Sequence, residues 1–245
     1  MRHLWIVLLL GCGSAGSLPG PSAPGPDPEP SARAACGARV RLRFAPPPGS
    51  RWITATAFTV RTGVPLVIET RGTTEVLRVQ DEMTELATRI ERSSLSIGGS
   101  LPRPVPDLSP VQHRTFDALG RPARGEAGAP DPAAFGVLPE AAVAIGDTWS
   151  ATPELVTNEI RFTGEVTYRL EALEGGRAVI VGRGPVSAVG PEGVTIEGTS
   201  STTSVVDVAT GMTLEFALAI DATIDGTGET VPLAIEGRVS VARAD

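Results

Sequence analysis

The stretch Met212-Thr213-Leu214-Glu215-Phe216-Ala217-Leu218-Ala219-Ile220 places a large apolar side chain at every second position. A period of two puts these side chains on one face, which predicts a β-strand with one buried face. The turn Asp225-Gly226-Thr227-Gly228 follows it, and residues 233–241 then resume the same alternation. Two alternating segments joined by a glycine-rich turn predict an antiparallel hairpin near the end of the chain.

The same alternation recurs through most of the chain before this hairpin. Trp52–Val60, for example, keeps Trp52, Phe58 and Val60 on one parity, and Glu174-Gly175-Gly176-Arg177 predicts a further hairpin turn. Besides the C-terminal hairpin and Trp52–Val60, the segments predicted as strands are Val40–Phe44, Val64–Thr70, Thr74–Gln80, Val111–Phe116, Glu159–Leu170, Ala178–Val181 and Val194–Val208.

Met83–Ser96 fits two patterns. Met83, Leu86 and Ile90 share a helical stripe, whereas Leu86, Thr88 and Ile90 fit strand alternation. The neighbouring strands and Gly98-Gly99 favour the strand. We therefore predict an all-β, mostly antiparallel fold with little helix, either an open or closed β-barrel or, alternatively, a β-sandwich. Residues 37–245 form one domain in this prediction.

The N-terminal residues predict an export signal. Arg2 precedes the apolar run Leu4–Leu10, which is far shorter than the roughly 20 residues that span a bilayer. Leu9-Leu10-Gly11-Cys12 resembles the lipobox of bacterial lipoproteins, which implies a signal peptide at 1–11 and acylation of Cys12 after cleavage. Gly13, in place of the aspartate that retains such proteins at the inner membrane, favours the periplasmic face of the outer membrane. Ordinary secretion, with cleavage near Ala15 or Ser17, is the alternative.

Residues 12–36 have the composition of a linker. Six prolines between Pro19 and Pro30 alternate with glycine, serine and alanine, and no apolar periodicity is present. This predicts a disordered spacer of polyproline character that anchors the domain to the membrane through its lipid. If Cys12 carries lipid, Cys36 has no partner within its own chain.

Composition excludes several classes of function. The formal charge of -7 argues against nucleic acid as a partner. All 21 basic residues are arginine, so a Walker-type phosphate loop and a Schiff-base lysine are excluded. His113 is the one histidine after the signal, which disfavours zinc and a Ser-His-Asp triad. Asp221, Asp225 and Glu229 lack the spacing of a calcium loop. We expect no cofactor and no metal.

Three short motifs resemble an uncharacterised family of bacterial lipoproteins. Leu138–Trp149 contains its Val/Ile-Gly-Asp-x-Trp signature, and Thr115–Arg121 and Asp207–Gly211 resemble two of its turns. The resemblance implies no activity, although the strand-rich plan is also similar to the half-open barrels of lipoprotein carriers. In the Gly146-Asp147-Thr148-Trp149 signature, we expect Gly146 to permit a sharp turn, Asp147 to bond backbone two residues on, and Trp149 to fill the core. Contact of Trp149 with a ligand is the alternative.

These observations predict a lipid-anchored protein of the bacterial cell envelope whose β domain binds an apolar ligand or an envelope protein without catalysis. The alternative is a carboxylate-based hydrolase, because acidic residues are plentiful. Such an enzyme requires two acidic side chains that converge in a cleft.

Overall fold

The computed structural model describes residues 38–105, 111–123, 138–152, 155–157, 160–190, 193–226 and 229–244. The predicted signal peptide and linker, with Cys12 and Cys36, lie outside the described residues, as does most of 121–137. Contacts group Gly37–Asp245 into one compact unit. Within the described ranges, no helix is both long and apolar enough to cross a bilayer.

The described part of the domain is a single antiparallel sheet of thirteen strands without an α-helix, which confirms the predicted fold class. The strands are β1 Arg51–Thr62, β2 Val64–Gln80, β3 Met83–Ile97, β4 Arg103–Pro104, β5 Gln112–Phe116, β6 Thr148–Ala151, β7 Leu155–Thr157, β8 Ile160–Thr163, β9 Val166–Glu174, β10 Arg177–Val189, β11 Thr195–Asp207, β12 Thr213–Gly226 and β13 Glu229–Arg243.

The order across the sheet is β4-β3-β2-β1-β13-β12-β11-β10-β8-β7, with β5 also on β3 and β9 between β10 and β6. Pairing of β1 with β13, from Trp52↔Arg243 to Arg61↔Ala234, joins the two halves of the chain. No pairing among the described strands joins the two ends of this order, so the sheet is open and the closed-barrel alternative is not what forms.

The two ends of the sheet nevertheless share one core. A cluster of buried residues includes Leu86 and Phe116 from β3 and β5 together with Leu170 and Ile180 from β9 and β10. Strands so far apart in sheet order meet only if the sheet curls around its inner face. A second cluster on the same face, nearer the opposite ends of the strands, contains Val186, Ala188, Ile196, Ile220 and Leu233.

Several predicted boundaries were wrong, and glycines explain two of the differences. Thr70 and Thr74 belong to one strand, β2, because Gly72 pairs on both sides, where an added Cβ would lie 2.6 Å from the carbonyl oxygen of Arg89. Predicted strand Glu159–Leu170 is two strands, β8 and β9, which break at Gly164 against the carbonyl of Pro185.

Other strands differ in length or register. The ambiguous segment is indeed a strand, β3, and the strand predicted at Ala178–Val181 is the start of the longer β10. In the alternating segment Met212–Ile220, the register shifts opposite Val205 and Val206 of β11. Leu214 is therefore unpaired and partly exposed, while Thr213 is buried. The predicted apolar face of β12 therefore holds from Phe216 onward but fails at Leu214.

Residues 39–45, which we call the strap, were predicted to contain a strand but do not join the sheet as one. Their alternation is as expected: Leu42 and Phe44 are 0% and 2% exposed, while Arg39 and Arg41 face outward. Only Val40 forms a bridge, to Val143. The strap lies between the two ends of the open sheet. Its Leu42 and Phe44 pack in the core cluster that both ends share.

Candidate functional site

The Gly146-Asp147-Thr148-Trp149 signature forms the turn that leads into β6. Gly146 has φ +91°, a conformation that favours glycine, which confirms the predicted sharp turn. Oδ2 of Asp147 accepts a hydrogen bond from the amide of Ala144, three residues before it, at 3.0 Å, while its predicted bond to the backbone two residues on stays a prediction. The amide of Gly146 donates to Leu170, which fixes the turn against β9.

This turn also holds the strap through two arginines. The guanidinium of Arg39 lies 3.3 Å from Oδ2 of Asp147 and donates to the carbonyl of Ala142. The guanidinium of Arg43 donates to the carbonyls of Pro139 and Glu140 at 2.9 and 2.6 Å. Five donors in a rigid fork allow one arginine to satisfy several carbonyls at once.

The other two motif turns are built by aspartates in the same manner. Oδ1 of Asp117 accepts the amides of Leu119 and Arg121. Oδ1 of Asp207 accepts the amides of Ala209 and Thr210. Short aspartate side chains stabilise such turns because they replace backbone acceptors.

Both of these turns contact the strap as well. The amide of Phe44 donates to Ala118, and the amide of Ala45 donates to Thr210. Gly211, with φ +67°, lies so close to the strap that an added Cβ would be 2.1 Å from the carbonyl oxygen of Arg43. The three motifs, distant in sequence, therefore converge on one seven-residue segment. We call the three turns together the clamp.

Trp149 ends the first of the three clamp turns and packs inward from it. Its ring stacks on Tyr168 of β9, with centroids 5.8 Å apart and planes inclined by 19°, and it packs against the main core cluster. Burial raises the pKa of Tyr168 to about 12, because the phenolate loses hydration that the core does not replace. These contacts give Trp149 a packing role, and its predicted contact with a ligand stays a prediction.

The remaining candidates lie apart from one another. His113 is an exposed residue of β5 whose Nδ1 lies 3.6 Å from Glu85. Asp221 and Asp225 share the outer face of β12, and Glu229 begins β13. Among the described residues, no three histidine, cysteine or acidic side chains group as metal ligands would. Cys12, the predicted lipidation site, lies outside the described residues.

Sequence reasoning missed a groove of about 830 Å³ on the outer face of the sheet. It crosses β3, β2, β1, β13, β12 and β11, and a twisted sheet is concave along one diagonal of each face. Small residues, among them Ala55, Ala57 and Ala217, form its floor. Its charged lining is Glu69, Arg71, Arg92, Glu215 and Arg238.

The two carboxylates of this groove do not form a glycosidase-like pair. Three strand steps separate Glu69 on β2 from Glu215 on β12, or about 14 Å along the sheet at ~4.8 Å per step. The two carboxylates of glycoside hydrolases lie only about 5–9.5 Å apart. Elsewhere, a hydrogen bond from Arg61 and its charge lower the pKa of the Glu236 carboxyl, the opposite of what a general acid requires.

Comparison with known proteins adds a partial family match. Residues 133–213 match the model of a family of unknown function (DUF6263), and the matched segment contains two of the three clamp turns. Among solved structures, an outer membrane channel from Pseudomonas putida F1 aligns over 81% of this chain and 97% of that chain, with 8% identity and a TM-score of 0.33. No curated protein matches the chain. The matched segment is thus similar to an uncharacterised family.

Replacement of Asp147 by alanine tests the clamp. It removes the acceptor of the Ala144 amide and the partner of Arg39, so we expect a loss of about 1–2 kcal/mol in the free energy of unfolding, measured with urea. The estimate is modest because the Arg39 pair is partly exposed. Asp221→Ala, on an exposed strand position, is the control and should change stability by less than about 0.5 kcal/mol. Equal effects of the two substitutions would contradict the clamp.

Tyr168 supplies a pH test, because it is the single tyrosine of the chain. Its folded-state pKa lies above the unfolded value, so its contribution to stability is full below pH 10 and is lost as the pH rises toward 12. Near-ultraviolet titration of the phenol should show no ionisation while the protein stays folded near pH 10. A midpoint near pH 10 with an unchanged circular dichroism spectrum is the result that excludes this burial.

Proposed function

We propose that this chain is a lipid-anchored protein of the bacterial cell envelope whose β domain binds a ligand or partner at the surface of its open sheet. The groove on the outer face is the observation that carries the binding role. The lipobox-like Leu9-Leu10-Gly11-Cys12 and the proline-rich segment after it support the anchor. One acyl chain binds membranes only marginally, so the several chains of a bacterial lipoprotein are what make such an anchor stable.

The packing of the inner face favours binding at the outer surface over carriage inside a barrel. Leu42, Val76, Leu170 and Val206, all in the main cluster, have no exposed surface. A carrier of apolar ligands requires a cavity lined by such residues, whereas here they belong to one packed cluster. The proposed ligand or envelope protein therefore contacts the groove on the outer face, not the core.

An exposed apolar edge favours a protein partner as a second kind of contact. Three exposed apolar residues lie at the start of β2 and at and after the end of β3: Val64, Ile97 and Leu101, which are 61%, 54% and 86% exposed. Gly98 lies between them, and an added Cβ there would be 3.2 Å from Val64. Grouped apolar side chains at a surface are typical of protein contacts.

The hydrolase alternative has less support than binding. The separation of Glu69 and Glu215 argues against a shared water or nucleophile, and His113 has Glu85 as its neighbour rather than a serine hydroxyl. The described part of the chain offers a groove with fixed charges and no assembled nucleophile.

Metabolic labelling with a clickable fatty acid tests the anchor. The native chain should incorporate the label and sediment with membranes, whereas Cys12→Ser should lose the label and enter the soluble fraction. Cys36→Ser is the matched control, because it removes the other thiol of the chain and leaves the acceptor intact. Undiminished labelling of Cys12→Ser, or loss of label in Cys36→Ser alone, would contradict the proposal.

A further inference from the structure

Two arginines face each other directly across neighbouring strands in the groove. Arg71 of β2 is the register partner of Arg92 of β3, which places their Cα atoms about 5 Å apart. Like charges in directly opposite positions destabilise a sheet. The arrangement therefore costs folding free energy unless an anion lies between the two guanidinium groups.

A β-bulge creates this pair. The register shifts between Arg71 and Gly72, so that Gly72 faces Ile90 and Arg71 faces Arg92, and Glu91 is left without a register partner. The carboxylate of Glu91 instead accepts a hydrogen bond from Thr73. If the register continued without the bulge, Glu91 would stand opposite Arg71 and neutralise it. Bulges frequently re-aim side chains beside binding sites.

Among the described residues, no carboxylate forms an ion pair with either of the two arginines. On the same sheet Arg51, Arg61 and Arg78 each form an ion pair with a glutamate. No described carboxylate lies within 4 Å of Arg71 or Arg92. Glu69, two residues before Arg71, lines the groove without joining either arginine, and Glu215 is three strands away.

The floor of the groove beside the two arginines is apolar and suits an uncharged extension of the same ligand. Ala55 of β1 is the register partner of Arg71. Ala57, two residues further along β1, pairs with Glu69 of β2 on one side and with Arg238 of β13 on the other. Alanine side chains leave space above the sheet and present methyl groups to it. Arg238, two strands from Arg71 or about 10 Å across the sheet, adds a third cation on the far wall.

We propose that this groove binds an amphiphile with a phosphate head, the phosphate between Arg71 and Arg92 and the apolar part along Ala55 and Ala57. This names the ligand class for the surface binding proposed above and rests on that proposal. A phosphate monoester offers three terminal oxygens and up to two negative charges, so it can accept paired hydrogen bonds from two guanidinium forks at once. A carboxylate has two oxygens and one charge, which match one arginine.

Titration calorimetry on the full chain in a neutral detergent tests this proposal. The probes are dihexanoyl phosphatidic acid, inorganic phosphate and hexanoate. We expect phosphatidic acid to bind most tightly and to weaken with added salt, because the arginines are exposed. Arg71→Gln combined with Arg92→Gln should weaken it by about tenfold or more. Arg183→Gln, on the outward side of β10 away from the groove, is the control and should change nothing.

Two further measurements separate a lost site from a lost fold. The double variant should unfold at an equal or higher urea concentration than the native chain, because it removes the repulsion between the arginines. Ala57→Leu keeps both arginines and fills the floor, so it should weaken phosphatidic acid while leaving inorganic phosphate unchanged.

The contrary results are equally specific. Native affinity in the double variant, or no binding by the native chain, overturns the site. Equal affinity for inorganic phosphate overturns the amphiphile, and equal affinity for hexanoate overturns the phosphate head. Each of these can occur while Cys12 is acylated normally, so failure of the groove is distinguishable from failure of the proposed anchor.

Discussion

The strap, residues 39–45, is the constraint on which the domain depends. An open sheet has two free ends, and here the first cluster on its inner face is complete only with Leu42 and Phe44, which come from outside the sheet. Polar contacts then fix the strap to three turns, through Val143, Ala118 and Thr210. The buried side chains of Leu42 and Phe44 stabilise the strap in the core, and its hydrogen bonds to the aspartate-built turns fix its position along them. A closed barrel needs no such segment because its own strands pair.

Much of the fold is predictable from the sequence, because period-two alternation is strong where one face is buried. The β12–β13 hairpin and the turn at Gly175-Gly176 follow from local pattern and turn residues alone, and the strand at Met83–Ile97 follows once its neighbouring strands are taken into account. The role of Val40–Phe44 does not, because a buried alternating segment looks the same whether its amides bond to a strand or to turns. The bulge at Leu214 is equally invisible in the alternation, which is unbroken there.

The candidate site divides in the same way. The three motifs and the importance of Gly146, Asp147 and Trp149 can be read from the chain, but their convergence on Arg39, Arg43 and Phe44 depends on tertiary contacts. The groove has no local signal at all. Arg71 and Arg92 are separated by a hairpin, and whether they face each other or stagger depends on one extra residue in β3. A register difference of one residue would send Arg92 to the other face.

Hydrogen exchange of the strap amides in the full chain tests this account most directly. If the strap is part of the core, the amides of Phe44 and Ala45 exchange only when the whole domain unfolds, with the same opening free energy as amides in the centre of β10–β12. Exchange of these two amides at the rate of exposed turns, while the centre of the sheet stays protected, would show that the open sheet is stable without its strap.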